Sequence, residues 1–327
     1  MTGQFAEVTG GEFVRQPNHF TDRITADGSS GYPVEAGRYV LYVSLACPWA
    51  HRSVIVRRLL GLEDALALRV VDPLRDEQGW RFTLDDDGVD PVTGASYVME
   101  LYRRSDPAFE GRATVPFLWD TQTERIVSND YPQITLDLST EWAALHGPGA
   151  PDLYPEHSRE AIDEMAEANF HAVNNGVYKA GFATSQERYE AAYDALFARL
   201  HELDELLGTE RYLVGRQLSE ADVRLYTTLV RFDAAYHGHF KCNERKLTEF
   251  AHLWPYARDL FQTPGFGDTT DFAHVKSHYY GTHDKINPTL VVPKGPDLSG
   301  WDVPHGRDHL GQDLLVLAEA LSQDEPG

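Results

Sequence analysis

Tyr42-Val43-Ser44-Leu45-Ala46-Cys47-Pro48-Trp49-Ala50-His51-Arg52 reads as a strand that stops, a cysteine, a proline, and a helix that starts. This order sets one thiol at the first turn of a helix, where unpaired backbone N–H groups carry partial positive charge. A thiolate is favoured there, and the thiolate is the form that reacts. An unpaired cysteine is often only a small buried hydrophobe, but the helix-start position argues for a nucleophile. A pKa near ~6 would make it mostly thiolate at neutral pH. Ala50 stands where a dithiol motif carries its second cysteine, so a disulfide of Cys47 requires Cys242 or a thiol from outside.

Outward from this segment the pattern is that of a small α/β domain. Arg38–Ser44 is rich in β-branched and aromatic residues and is expected to be a strand. From Pro48 to Leu60 the pairs Ala50/Val54, Ile55/Leu59 and Val56/Leu60 give helical spacing, and Gly61 follows as the stop. Leu66–Val71 is a second strand, which completes a β-α-β unit. Residues 72–110 read as a long irregular insertion carrying Trp80. Thr114–Asp120 and Arg125–Ser128 are two further strands, the first beginning at a proline, and Asn129/Asp130 open a helix from about Pro132. The order β-α-β then β-β-α is that of a thioredoxin-like domain.

Gly147-Pro148-Gly149-Ala150-Pro151 is a linker by composition. Beyond it the pattern is helical. Thr184-x-x-Glu187 and Ser219-Glu220-Ala221-Asp222 read as capping boxes, the second with Leu218 and Val223 as a hydrophobic staple. The expected organisation is an irregular N-terminal arm (1–36), a thioredoxin-like thiol-binding domain (37–146), an all-helical domain (152–296) and a polar, mobile tail (297–327).

Composition narrows the function. The 327 residues allow about two domains. With 51 Asp+Glu against 29 Lys+Arg, the formal net charge is −22, which disfavours nucleic acid and anionic membrane surfaces as partners. Two cysteines make no disulfide framework and fit a reducing cytoplasm. Met1–Glu7 lacks the basic start and apolar run of a signal peptide, and no stretch reaches the ~20 apolar residues of a membrane span. Abundant Arg and Ala suggest a GC-rich bacterial gene.

The run Ser44–Arg52 resembles the glutathionyl-hydroquinone reductases, the xi-like class of glutathione transferases. Further blocks agree in order: Gly79-Trp80-Arg81-Phe82, Thr114-Val115-Pro116, Ile126-Val127-Ser128-Asn129, Ala221–Leu225, Tyr236–Asn243, Ile286-Asn287-Pro288-Thr289 and Val292-Pro293. The resemblance spans roughly residues 20–296. It implies a thioredoxin-like domain, an all-α glutathione-transferase C-terminal domain, a homodimer, and reduction of glutathionyl-hydroquinones by glutathione through a mixed disulfide on Cys47.

The resemblance also implies residue roles. Read alone, Pro116 is expected to be an ordinary edge-strand proline; in thioredoxin-like folds it is cis and leaves Val115 to pair with the bound thiol peptide. Trp80 is placed beside the thiol cosubstrate. Arg112 is either a partner of a cosubstrate carboxylate or a surface arginine. Tyr178, Tyr236 and Tyr279 match the family's phenol trio, expected to donate protons to the hydroquinone, with Tyr280 an alternative. At Ser128-Asn129-Asp130-Tyr131 the chain departs from the family's Ser-Asn-Glu-Ser, in which the acid and the serine hold the γ-glutamyl end. Asp130 is shorter than Glu and also reads as a helix N-cap, and Tyr131 is a bulky ring. The thiol is therefore open between glutathione and mycothiol, which has no γ-glutamyl end. Omega-type thioltransfer or dehydroascorbate reduction is a neighbouring activity. A non-catalytic transferase-fold module has no need of Cys47 and the phenols. His237-x-His239-x-x-Cys242 supplies three metal-ligating types where a closed zinc site needs four, so no metal is expected.

Overall fold

The computed structural model describes residues 7–311. Residues 1–6 and 312–327, the outer parts of the expected arm and tail, lie outside the described residues. The N-terminal arm is more ordered than its composition suggests. Strands β1 (Glu7–Thr9) and β2 (Glu12–Val14) form an antiparallel hairpin. Its two-residue turn is Gly10-Gly11, with φ of 59° and 84°, the backbone a tight hairpin requires. Three-residue strands are too short to show alternation in sequence. The hairpin docks on the helical domain through the Gly11 carbonyl, which accepts from the Thr184 N–H at 3.1 Å, and through Glu12 with Lys179 at 3.2 Å.

The thioredoxin-like domain follows. β3 (Tyr39–Val43) leads into α1 (Pro48–Leu59), and β4 (Ala67–Val70) pairs parallel to β3. All five residues of β3 are buried, as its continuous apolar run requires of a strand covered on both faces. Gly61 ends α1 with φ 64°, and a Cβ there would lie 3.0 Å from the Gly147 Cα, so conformation and packing both demand glycine.

The 72–110 segment contains a helix where an irregular insertion was expected. α2 spans Val98–Ser105, with Val98, Leu101, Tyr102 and Ser105 buried at helical spacing. Glu100 receives the N–H groups of Ser96 and Tyr97 at 3.0 and 2.9 Å. β5 (Phe117–Asp120) and β6 (Arg125–Ser128) then complete a mixed sheet of order β4-β3-β5-β6, and α3 (Tyr131–Thr140) packs on α1.

The second domain comprises α4 (Arg159–Asn169), α5 (Gly176–Gly181), α6 (Gln186–Leu206), α7 (Glu220–Arg231), α8 (His237–His239), α9 (Leu253–Gln262) and α10 (Phe272–Thr282). Its α6 cap lies one residue later than expected: Ser185, not Thr184, accepts from the Arg188 N–H at 3.3 Å. The Ser219/Asp222 box is present, and the buried Asp222 also receives the Tyr256 hydroxyl at 2.8 Å, a structural role. π-helical turns at Phe170–Asn174 and Phe232–Tyr236 join α4 to α5 and α7 to α8. Such turns are often found at functional sites.

Residues 297–311 are held against the helical domain, in contrast to the mobile tail expected there. Trp301 packs on Trp254 and Phe261, and buried Arg307 donates to the Arg211 carbonyl at 3.0 Å and to the Leu207 carbonyl at 3.2 Å.

The domains are locked together next to Cys47. Arg231, at the end of α7 and 1% exposed, donates to the carbonyls of Ala46 and Leu45, both at 2.9 Å. It also donates to the Thr227 carbonyl at 2.8 Å and to His51 Nδ1 at 3.0 Å. His51 thus accepts on Nδ1 and donates from Nε2 to Thr269 Oγ1 at 3.0 Å. Burial and the Arg231 charge hold its pKa well below the ordinary value, so the ring is neutral.

Candidate active site

Cys47 opens onto a cavity of about 910 Å³, counting its mouth, between the two domains. The thioredoxin-like domain contributes Cys47, Pro48 and Trp49 from the start of α1, and Arg112–Val115 from the approach to β5. Asn129 and Tyr131 come from the β6–α3 junction, and Arg75 and Trp80 from the β4–α2 connection. The helical domain contributes Tyr178 from α5, Phe182 from its C-cap, and His278, Tyr279 and His283 from α10 and its end. β2 and the arm beyond it close a third side with Phe13, Arg15, Gln16 and Asn18.

Cys47 occupies the N-cap position of α1, with φ −77° and ψ 119°. Its thiol points at the Val115 carbonyl, 3.5 Å away. The Val115–Pro116 peptide bond is cis. The thiol differs from the activated group expected. Burial is the largest influence and raises its pKa. The backbone N–H groups of Ala50 and Trp49 and the charges of Arg231 and Arg15 pull the other way without reversing it. The helix start acts as anticipated, but two domains packed around the sulfur cost it more hydration than the helix returns.

The phenols form a chain. The Tyr178 and Tyr279 hydroxyls are 2.5 Å apart, and the Tyr279 hydroxyl lies 2.9 Å from that of Tyr236. Burial raises the pKa of all three, so they keep their protons at neutral pH. Tyr178 and Tyr279 line the cavity, whereas Tyr236 stands behind Tyr279, off the wall. Tyr280 packs on His239 at 4.7 Å and is not on the wall.

The departing segment is also divided. Tyr131 lines the cavity, its ring 4.9 Å from Trp49. Asp130 holds the N-cap position of α3 without a capping bond, and its Oδ1 accepts from Asn18 Nδ2 at 2.9 Å. Burial raises its pKa. Ser128 Oγ accepts the Asp130 N–H at 3.1 Å and donates to the Phe20 carbonyl at 3.4 Å. Asp130, Ser128 and Pro116 are off the cavity wall, while Trp80, Arg112 and Val115 are on it.

Sequence reasoning passed over Arg15, Arg75, Asn18 and His278. The Arg15 guanidinium lies 4.2 Å from the Trp49 ring centroid and donates to Asn175 Oδ1 at 3.0 Å. Arg75 lies over Trp80 at 4.8 Å, and burial lowers its pKa to about 10, leaving it charged at neutral pH. Arg15, Arg75 and Asn18 come from segments without periodicity, so no pattern announced them. His278 adjoins Tyr279, and that adjacency was a usable signal.

A thioredoxin-like domain that offers a helix-start cysteine to a cavity shared with an all-helical domain is the plan of a glutathione transferase. The sequence model of the glutathione S-transferase C-terminal domain matches residues 186–262. Glutathionyl-hydroquinone reductase YqjG of Escherichia coli K12 is 46% identical over 92% of this chain and 93% of its own length. A glutathione transferase structure from Gordonia bronchialis is 57% identical, with a TM-score of 0.89 over 90% of this chain and 92% of that one. A xi-class structure from Natrialba magadii is 46% identical, with a TM-score of 0.85 over 89% of each chain. The chain belongs to the glutathionyl-hydroquinone reductases, the xi class of the glutathione transferases.

Proposed function

We propose that this chain reduces glutathionyl-hydroquinones to hydroquinones, with Cys47 as nucleophile. One observation carries the reading: the Cys47 thiol and the Tyr178–Tyr279 phenol pair face one cavity. Cys47 attacks the conjugate's thioether sulfur. An S–S bond forms, the aryl C–S bond breaks, and the ring carbon takes up a proton from the phenol pair. The thiol proton lost by Cys47 balances the one gained by carbon. A second glutathione then attacks the Cys47 mixed disulfide, releasing glutathione disulfide and the free thiol. Tyr178 and Tyr279 are the proton donors, and Tyr236 acts through Tyr279 as a positioning residue.

The thiol lies along the thioredoxin-like wall, its backbone paired with Val115 and a carboxylate held by Arg112. Trp80 flanks it. The Escherichia coli relative has been solved with glutathione bound, which supports glutathione here. Mycothiol is the second reading, favoured by Tyr131 on the wall and by Asp130 turned toward Asn18. Two free cysteines support a reducing, cytoplasmic setting, and the family likeness supports a homodimer.

Intact-mass analysis tests both parts. Glutathione disulfide is expected to add one glutathionyl group to the wild type and none to Cys47→Ala, and mycothiol disulfide run in parallel identifies the preferred thiol. Cys47→Ala is expected to lose turnover of a glutathionyl-hydroquinone by at least about 10³-fold. Retained turnover sinks the mechanism.

A further inference from the structure

His278 lies on α10 beside Tyr279 and lines the cavity that holds Cys47. Its Nδ1 is 2.8 Å from the Pro73 carbonyl oxygen. A carbonyl oxygen only accepts, so Nδ1 carries a proton. The ring is 7% exposed, and burial together with the charge of Arg75 keeps its pKa well below the ordinary value. The imidazole is therefore neutral. A neutral imidazole protonated on Nδ1 has a bare Nε2, which is an acceptor. The ring cannot turn freely, because it stacks on Trp80 with centroids 5.0 Å apart and planes inclined by 21°. Pro73 and Trp80 thus fix one acceptor nitrogen from the thioredoxin-like side.

The neighbouring groups have different hydrogen-bonding character. The Tyr178, Tyr279 and Tyr236 hydroxyls are hydrogen-bonded in series, and each brings a proton of its own. His283 Nδ1 is 3.0 Å from His239 Nε2 and is taken up there. Arg75 and Arg112 bring donors only. A hydroquinone has hydroxyl protons to place, while its ethers and the oxidised quinone have none. A site built to accept from a hydroxyl discriminates against analogues that lack it.

We infer that His278 Nε2 accepts a hydrogen bond from a hydroxyl of the aromatic substrate and selects hydroxyl-bearing rings over their ethers. This rests on the hydroquinone reading above and adds the residue that recognises the ring's redox and substitution state.

The test is calorimetric binding of S-(2,5-dihydroxyphenyl)glutathione and S-(2,5-dimethoxyphenyl)glutathione, carried out in Cys47→Ala so that nothing turns over. With His278 present, the dihydroxy conjugate is expected to bind about tenfold tighter. His278→Phe keeps a stacking ring, and His278→Asn keeps a donor near Nδ1. Both are expected to bring the ratio close to one. His278→Gln places an amide oxygen near the Nε2 position and is expected to recover most of the preference. An unchanged ratio in the Phe and Asn variants overturns the inference, as does an equal loss for both conjugates, which marks a purely structural ring. Turnover of the dihydroxy conjugate by the wild type separates the two levels. Turnover with an unchanged ratio defeats only the role of His278, whereas neither turnover nor binding defeats the hydroquinone reading and the inference together.

Discussion

On the thioredoxin-like side of the cavity the proposed nucleophile is set by backbone: Cys47 at a helix start, faced by the Val115 carbonyl. On the helical side the chemistry is set by side chains alone, in a chain of phenols from Tyr178 through Tyr279 to Tyr236. Backbone placement is a local property of a few consecutive residues. The phenol chain joins residues 178, 236 and 279, brought together by the packing of three separate helical segments. The difference predicts a division of labour, in which the first wall makes and breaks sulfur bonds and the second moves protons.

Tyr279→Phe is the sharpest way to break that division. Tyr279 is hydrogen-bonded to both other phenols, so its loss uncouples them. Reduction of a glutathionyl-hydroquinone is expected to fall by about 10²-fold or more. Glutathionylation of Cys47 by glutathione disulfide, which needs no proton on carbon, is expected to continue at the wild-type rate. Stopped-flow measurement of both reactions decides the matter, and an equal loss in both shows that the walls are not separable.

Arg231 belongs to neither wall and holds both. Arg231→Ala leaves the carbonyls of Leu45 and Ala46 and the Nδ1 of His51 without their donor. Each stranded acceptor costs on the order of 1 kcal/mol or more, so a loss of about 3 kcal/mol is expected in chemical denaturation. Arg231→Lys retains one charged donor group and is expected to recover part of it. A loss below about 1 kcal/mol means that water replaces the guanidinium and that the Cys47 loop is held from elsewhere.

The same contrast explains what could be read in advance. The Cys47-Pro48 helix start, β3 and β4 around it and the Ser219/Asp222 cap are encoded in consecutive residues, and the structure places them within a residue or two of the reading, whereas β5 starts at Phe117 and not at Thr114. α2 is hidden in the sequence although Val98, Leu101, Tyr102 and Ser105 carry helical spacing, because Gly, Pro and Asp in the preceding residues mark the segment as irregular. The phenols were legible only through family likeness, and their order along the chain says nothing of Tyr236 lying behind Tyr279. Arg15 and Arg75 reach the cavity through tertiary folding of aperiodic segments, which no local rule describes. The upward shift of the Cys47 thiol is hidden for a related reason: a helix start is visible in sequence, but the amount of protein packed over it is not.

Burial of the Cys47 thiol gives the smallest expected effect. With its pKa held above the ordinary value by burial, the Cys47 thiol is protonated at neutral pH. Its rate of alkylation by iodoacetamide is therefore expected to keep climbing as pH rises past the range where an exposed thiol levels off. Arg15 is one of the charges that oppose the burial effect. Removing it in Arg15→Leu moves the pKa further up, so less thiolate is present at any given pH. The alkylation rate at pH 8 is expected to drop about two- to threefold, the size of one partly screened charge acting across a few ångströms. A rate that levels off below pH 7 instead restores the helix start as the stronger influence. The backbone wall would then activate its cysteine without help from the arm.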